Sequence, residues 1–213
     1  MDDKDRATEI VRILNKSCPN AKSELVYSNP LEFMVAVILS AQATDKSVNK
    51  TAPGLFEKFK TAKDYADASV DEISSYINSI NFYKTKAERL KKAGRYLADN
   101  FGGEVPRHLE DLVRIPGVAR KSANVISQEV FNVVEGVVVD THVTRVSQRL
   151  GFTKNSDAVK IEKDLMNIVP KGYWKDYGEQ IVLHGRYVCT AKGPRCSKCP
   201  ISKLCPSAFK FGC

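Results

Sequence analysis

Apolar residues return every three or four positions along most of this chain: Ala7, Ile10, Val11 and Leu14, then Ile73, Tyr76, Ile77 and Ile80, then Ala87, Leu90, Ala93 and Leu97. The pattern resumes in Ala123, Ile126 and Val130, in Val143, Val146 and Leu150, and in Ile161, Leu165 and Ile168. A period near 3.6 predicts amphipathic helices, so the expected fold class is all-α. Residues 31–41 are apolar on nearly every side, which predicts a central helix wrapped by others. Only Val137, Val138 and Val139 look strand-like, and so short a run is as readily a buried connector. Polar or Gly/Pro breaks at 28–30, 101–106 and 151–156 separate the helical stretches.

The 213 residues are enough to bury one large or two small cores without help from a metal. The longest apolar run, 33–39, is far too short to cross a bilayer, and residues 1–5 are charged where a signal region would be apolar. The expectation is an intracellular, cytoplasmic protein without a membrane partner, in which structural disulfides are rare. Its net charge of +8 is unevenly placed. From Ile181 onward there are six basic residues, Arg186, Lys192, Arg195, Lys198, Lys203 and Lys210, and no acidic one. A second stretch carries Lys84, Lys86, Arg89, Lys91, Lys92 and Arg95 against Glu88 alone. Such fields suit a polyanion, above all nucleic acid, although the second stretch reads equally well as a solvated basic helix.

Four of the six cysteines crowd the basic C-terminal region: Cys189, Cys196, Cys199 and Cys205, with six, two and five residues between them. Four thiolates so close would repel one another unless a soft cation held them, which predicts a metal or iron–sulfur site. Structural zinc usually takes two close pairs, and only Cys196 and Cys199 are so spaced, so the uneven loops favour iron–sulfur over zinc. Cys18 and Cys213 have no evident partner and read as a small buried hydrophobe and a tail thiol.

Between two helical patterns lies Ile115-Pro116-Gly117-Val118-Ala119-Arg120-Lys121. Pro116-Gly117 predicts a tight turn that delivers small residues into a helix N-terminus, whose free N–H groups can hold a phosphate. An ordinary corner between helices would look the same. Lys121 falls in the first turn of that helix beside Arg120, where a cation is electrostatically misplaced and its free amine is more available as a nucleophile. Asp140 lies nineteen positions on. A helix over 120–131 rises about 18 Å, and the extended residues 132–139 span up to roughly 26 Å, so the chain permits the two side chains to meet. Asp140 also precedes a helical pattern, where its ordinary role is N-cap.

Hairpin, Lys121, Val139-Asp140-Thr141-His142 and the cysteine spacing occur in one order, preceded by Leu39-Ser40-Ala41-Gln42-Ala43-Thr44-Asp45 and joined by Leu183-His184-Gly185-Arg186. Together they resemble the helix-hairpin-helix DNA glycosylases, most closely their endonuclease III branch, over nearly the whole chain. The resemblance implies two α-helical domains flanking a DNA-binding groove. One is a six-helix domain over 23–135 with the hairpin motif at about 109–130. The other is a discontinuous iron–sulfur domain over 1–22 and 136–213, its loop at 189–205 holding a [4Fe-4S] cluster on the four cysteines.

It further implies a bifunctional glycosylase and abasic-site lyase acting as a monomer on damaged double-stranded DNA, associated with the nucleoid if bacterial, and removing oxidised or ring-saturated pyrimidines. Lys121 would attack the sugar and Asp140 would assist. Gln42, otherwise a surface residue after a buried helix, would fill the gap left by the flipped nucleotide, and Phe82 would be the apolar wedge. Gly117 and Ala119 would present the hairpin backbone, and Lys192 and Arg195 would meet phosphates.

Two departures stand out: Asn81 where the family has Gly before the wedge, and Ala119 where the hairpin pattern has Gly, an alanine that would resist positive φ. An adenine-specific mismatch glycosylase shares the cysteine loop but generally lacks lysine at the position of Lys121 and adds a C-terminal domain, whereas this chain ends eight residues beyond Cys205. A non-catalytic DNA-binding or redox-sensing protein would have less use for both Lys121 and Asp140. His108, His142, His184 and Trp174 have no ligand spacing and read as packing or surface residues.

Overall fold

The structure is a computed structural model that describes residues 1–17 and 23–212; Cys18 and Cys213 lie outside the described residues. Among the described residues the regular structure is helical: α1 (Asp3–Ser17), α2 (Pro30–Ser40), α3 (Asp45–Lys58), α4 (Ala62–Asp67), α5 (Val70–Ile77), α6 (Tyr83–Phe101), α7 (Leu109–Leu112), α8 (Arg120–Phe131), α9 (Thr141–Arg149), α10 (Ala158–Ile168) and α11 (Trp174–Tyr187). Among the described residues no helix is long and apolar enough to cross a membrane. The chain divides into two compact units, Ser23–Glu135 and Met1–Lys22 with Gly136–Cys213.

In the unit Ser23–Glu135, α2 is the core. Asn29 caps it by accepting from the N–H of Glu32, and Pro30 occupies the first turn, where its missing N–H has no partner to lose. Every residue from Phe33 to Leu39 is buried, and α3, α6 and α8 pack against the helix. The apolar stripes of α5 (Ile73, Ile77) and α6 (Ala87, Leu90, Ala93, Leu97) enter the same cluster. At about 1.5–3 kcal/mol per fully buried large side chain, this burial is the main force holding the unit. Helix α8 stops at Asn132, whose left-handed backbone lets the N–H of Val133 close on Ser127 O at 3.0 Å.

The other unit packs α1, α9, α10 and α11 around Val143, Val146, Leu165, Tyr177 and Ile181. Val137 and Val139 are buried but form no strand, so the three-valine run is a connector. Helices α9 and α11 approach closely at Gly185, where a Cβ would lie 2.9 Å from that of His142. From α1, Arg6 donates to Leu150 O at 2.7 Å and Leu204 O at 3.2 Å. That side chain fastens the cysteine-bearing segment, which follows α11 through short 3-10 turns at Cys196–Lys198 and Ser202–Leu204, to the end of α9.

Candidate functional site

The hairpin forms as the dipeptide demands. The N–H of Val118 closes on Ile115 O at 3.0 Å around Pro116-Gly117, and Gly117 has φ +90°. A Cβ there would also lie 3.1 Å from Cβ of Arg89 on α6, so the turn sits against that helix with no room for a side chain. Ala119 is the N-cap of α8 with φ −79° and ψ 165° and supplies no side-chain cap. No positive φ falls on this alanine, so a glycine is not required there. Exposed Lys121 projects from the first turn of α8, whose N-cap residue Ala119 has no side chain able to cap it.

Gln42 and Phe82 share an uncommon backbone. Both are exposed non-glycine residues in the left-handed region, with φ 55° and 59°. Ala41 (φ −57°, ψ 113°) and Gln42 form the corner of a type II turn closed by the N–H of Ala43 on Ser40 O at 3.0 Å, so Gln42 stands where glycine is the usual occupant. Phe82, 64% exposed, is the N-cap of α6. The two loops meet: Asn81 Nδ2 donates to Gln42 O at 3.5 Å. The departure at Asn81 thus leaves the left-handed residue at Phe82 itself and gives the neighbouring turn a polar partner.

Asp140 caps α9, its Oδ1 accepting from the N–H of both His142 and Val143 at 2.8 Å. Two arginines one turn apart then carry α9 to the cysteine segment. Arg145 donates to Gly185 O at 2.8 Å and to Cys189 O at 3.1 Å. Arg149 donates to Thr190 O at 2.8 Å, to Ala191 O at 3.0 Å and to the Cys189 sulfur at 3.2 Å. Neither arginine is anticipated above. Their spacing of four, on the helix that Asp140 opens, was the available signal.

All four cysteines of the C-terminal group line one cavity, otherwise walled largely by apolar side chains such as Val146, Leu150, Ile201 and Phe211. Cys189, Cys199 and Cys205 are half-buried free thiols. Burial, and then neighbouring Cys189 and Cys205, push the Cys199 thiol up; burial likewise raises Cys205. Buried His184 stands with Nε2 3.6 Å from the Cys199 sulfur. Among the described residues no three such side chains close on a single ion. The donor set is all sulfur, the walls are largely apolar, and a guanidinium rests against the Cys189 sulfur: these residues fit a cluster of net negative charge.

The two basic regions separate. On the cysteine segment Lys192, Arg195 and Lys198 are exposed, and Thr190 Oγ1 ties the turn beneath them through Lys192 O and Gly193 O, both at 3.1 Å. On α6 the stretch is neither a uniform polyanion face nor a merely solvated one. Lys86 is buried on Leu39 O, Lys91 donates to Ala68 O, and Arg95, exposed like Lys84, Arg89 and Lys92, reaches Asp67 at 3.2 Å. Helix-end carbonyls and the Asp67 carboxylate have taken up half of that charge. Lys86 too went unanticipated, although its place beside Ala87 in the apolar stripe was visible. His108 pairs with Glu135 at 3.1 Å and Trp174 donates to Val169 O at 2.8 Å, both structural roles.

Residues 35–171 match the HhH-GPD superfamily base excision DNA repair protein family. The chain is 46% identical to endonuclease III of Synechocystis sp. over 205 residues, covering 96% of this chain and 94% of that one. It is 45% identical to endonuclease III of Bacillus subtilis over 193 residues, covering 90% and 88%. Among solved structures it is similar to a trapped endonuclease III–DNA covalent intermediate, with TM-score 0.89 and 41% identity over 99% of both chains.

Proposed function

The chain belongs to the endonuclease III branch of the HhH-GPD superfamily of base excision DNA repair proteins, and on that premise we infer that it is a bifunctional DNA glycosylase and abasic-site lyase. The observation that carries the reading is its similarity, end to end, to an endonuclease III caught in covalent union with DNA. A covalent intermediate needs a nucleophile, and this chain offers an exposed amine, Lys121, on the first turn after a tight hairpin.

The chemistry begins with exposure of the sugar. C1′ of a damaged nucleotide is shielded inside a duplex, so the nucleotide must leave the stack. Gln42 and Phe82 compensate by occupying the space it vacates, the amide meeting the orphaned base and the ring the unstacked step. The N-terminal N–H groups of α8 and the turn at Gly117 hold backbone phosphates, with Lys192 and Arg195 adding cations from the cysteine segment. The substrate class is duplex DNA carrying an oxidised or ring-saturated pyrimidine.

Lys121 Nζ attacks C1′ as the C1′–N bond breaks and the base departs with a proton. Asp140 serves as the carboxylate that helps take the ammonium proton and offsets positive charge on the sugar. Its cap bonds both fall on Oδ1, which leaves Oδ2 for that task. Ring opening gives an iminium ion that acidifies C2′. Loss of a C2′ proton expels the 3′ phosphate oxygen, and water then hydrolyses the imine to regenerate the amine.

Cys189, Cys196, Cys199 and Cys205 would hold a [4Fe-4S] cluster, which when bound cross-links the segment and so shapes the loop bearing Lys192 and Arg195. Arg149 and Arg145 tie that loop to α9.

Borohydride reduction tests the reading directly. With DNA containing an abasic site or oxidised thymine, wild-type protein should give a covalent adduct that Lys121→Ala does not. Folded, cluster-loaded wild type without an adduct would overturn it.

A further inference from the structure

Helix α6 touches both loops that carry inserting side chains. Its N-cap is Phe82, and the backbone N–H of Lys86 closes the first turn on Phe82 O at 3.0 Å. The side chain of the same residue ends with Nζ 2.8 Å from Leu39 O. That carbonyl belongs to the last turn of α2, three residues before Gln42. One residue is therefore bonded through its backbone to the Phe82 turn and through its side chain to the helix end that launches the Gln42 turn.

Lys86 is 2% exposed. Burying an ammonium ion costs free energy that a methionine or leucine of similar size would avoid. The negative end of the α2 dipole offsets part of that cost, and a carbonyl left bare by the helix end gains a partner. Burial, and then the nearby Arg89 charge, lowers the pKa of the amine, so the site holds its cation at some expense. The loops it joins are themselves strained, since left-handed glutamine and phenylalanine persist only where their surroundings over-determine them. The 3.5 Å contact from Asn81 to Gln42 O is too long to do this alone.

We propose that Lys86 is a positioning residue for nucleotide flipping, which clamps the Gln42 turn to the Phe82 turn so that the two side chains are presented to the duplex together. This rests on the glycosylase and lyase reading above. The amine touches no reacting atom. Its removal should slow the step in which a nucleotide leaves the stack and spare the attack on an abasic sugar that is already unstacked.

The experiment compares borohydride trapping by the cluster-loaded full chain on one abasic oligonucleotide, presented single-stranded and as a duplex. Lys86→Met should trap duplex roughly tenfold more slowly, the scale of one lost charge-assisted hydrogen bond, while single-strand trapping stays within about twofold. Lys86→Arg, which keeps a cation and donor, should recover part of the loss. A 2-aminopurine beside the site should brighten more slowly with Lys86→Met. In a Gln42→Ala background the duplex penalty of Lys86→Met should shrink, because both changes act on one turn.

Equal losses on both substrates, or full additivity with Gln42→Ala, would overturn the clamp. Absence of trapping by the wild type on either substrate would instead remove the lyase reading. If Lys86→Met does not fold by circular dichroism, Lys86→Gln carries the same comparison.

Discussion

Arg149 places Nη1 3.2 Å from the sulfur of Cys189, while the same guanidinium holds Thr190 O and Ala191 O. It also lies over the Phe211 ring, 4.5 Å from the centroid. One side chain thus supplies charge to a proposed cluster ligand, fixes the loop leaving it and seats an aromatic ring that lines the cavity.

Arg149→Met keeps most of the aliphatic stem and removes those bonds. Cluster retention should suffer by roughly tenfold, the lower end of what neighbours of metal ligands contribute. The measurement is the decay of visible absorbance and iron content during aerobic dialysis. An unchanged decay would mean that the guanidinium does not support the cluster.

Asp140 caps α9, and its proposed role beside Lys121 is separable from that duty. Asp140→Ala should cost about 1 kcal/mol of stability through loss of the α9 cap, whereas Asp140→Asn keeps the accepting oxygen and should cost only a few tenths. Both variants should lose most strand cleavage. Urea unfolding beside single-turnover kinetics separates the effects, and an active Asp140→Asn would show that the carboxylate serves only as a cap.

Gly117→Ala meets both a φ of +90° and the Cβ of Arg89 at 3.1 Å. The expected cost is about 1–3 kcal/mol of strain. Since the turn would contact phosphate rather than base, affinity should fall alike for damaged and undamaged duplex. Its salt slope should become shallower by roughly one unit if one phosphate contact is lost.

Gln42→Gly should have the opposite sign on stability. Relief of a left-handed glutamine is worth about 1 kcal/mol, partly offset by the greater freedom of glycine in the unfolded chain. Duplex activity should nevertheless fall, because no side chain remains to occupy the gap. Paired thermal melts and cleavage rates test the trade, and full activity would remove Gln42 from the inserting role.

Much of this was legible before any coordinates. The periods around Leu90, Val146 and Leu165 mark helices because helical burial repeats locally, and each of those residues is buried. Pro116-Gly117 encodes its turn in two residues, and the close spacing of the four cysteines places them around one cavity. Asp140 before a helical pattern reads correctly as a cap for the same local reason.

Other features depend on neighbours distant in sequence. Six cations around α6 look alike in the chain, yet Lys86, Lys91 and Arg95 are spent on carbonyls or a carboxylate that the fold brings beside them, and of the six Lys86 alone is buried. Left-handed backbone at Gln42 and Phe82 is likewise invisible in side chains that do not favour it. By itself the sequence determined the helices, the hairpin and the chemical groups available. The tertiary structure decided which charges are paired and how the loops bearing Gln42 and Phe82 are braced, because those outcomes turn on the helix-end carbonyls that packing places within reach.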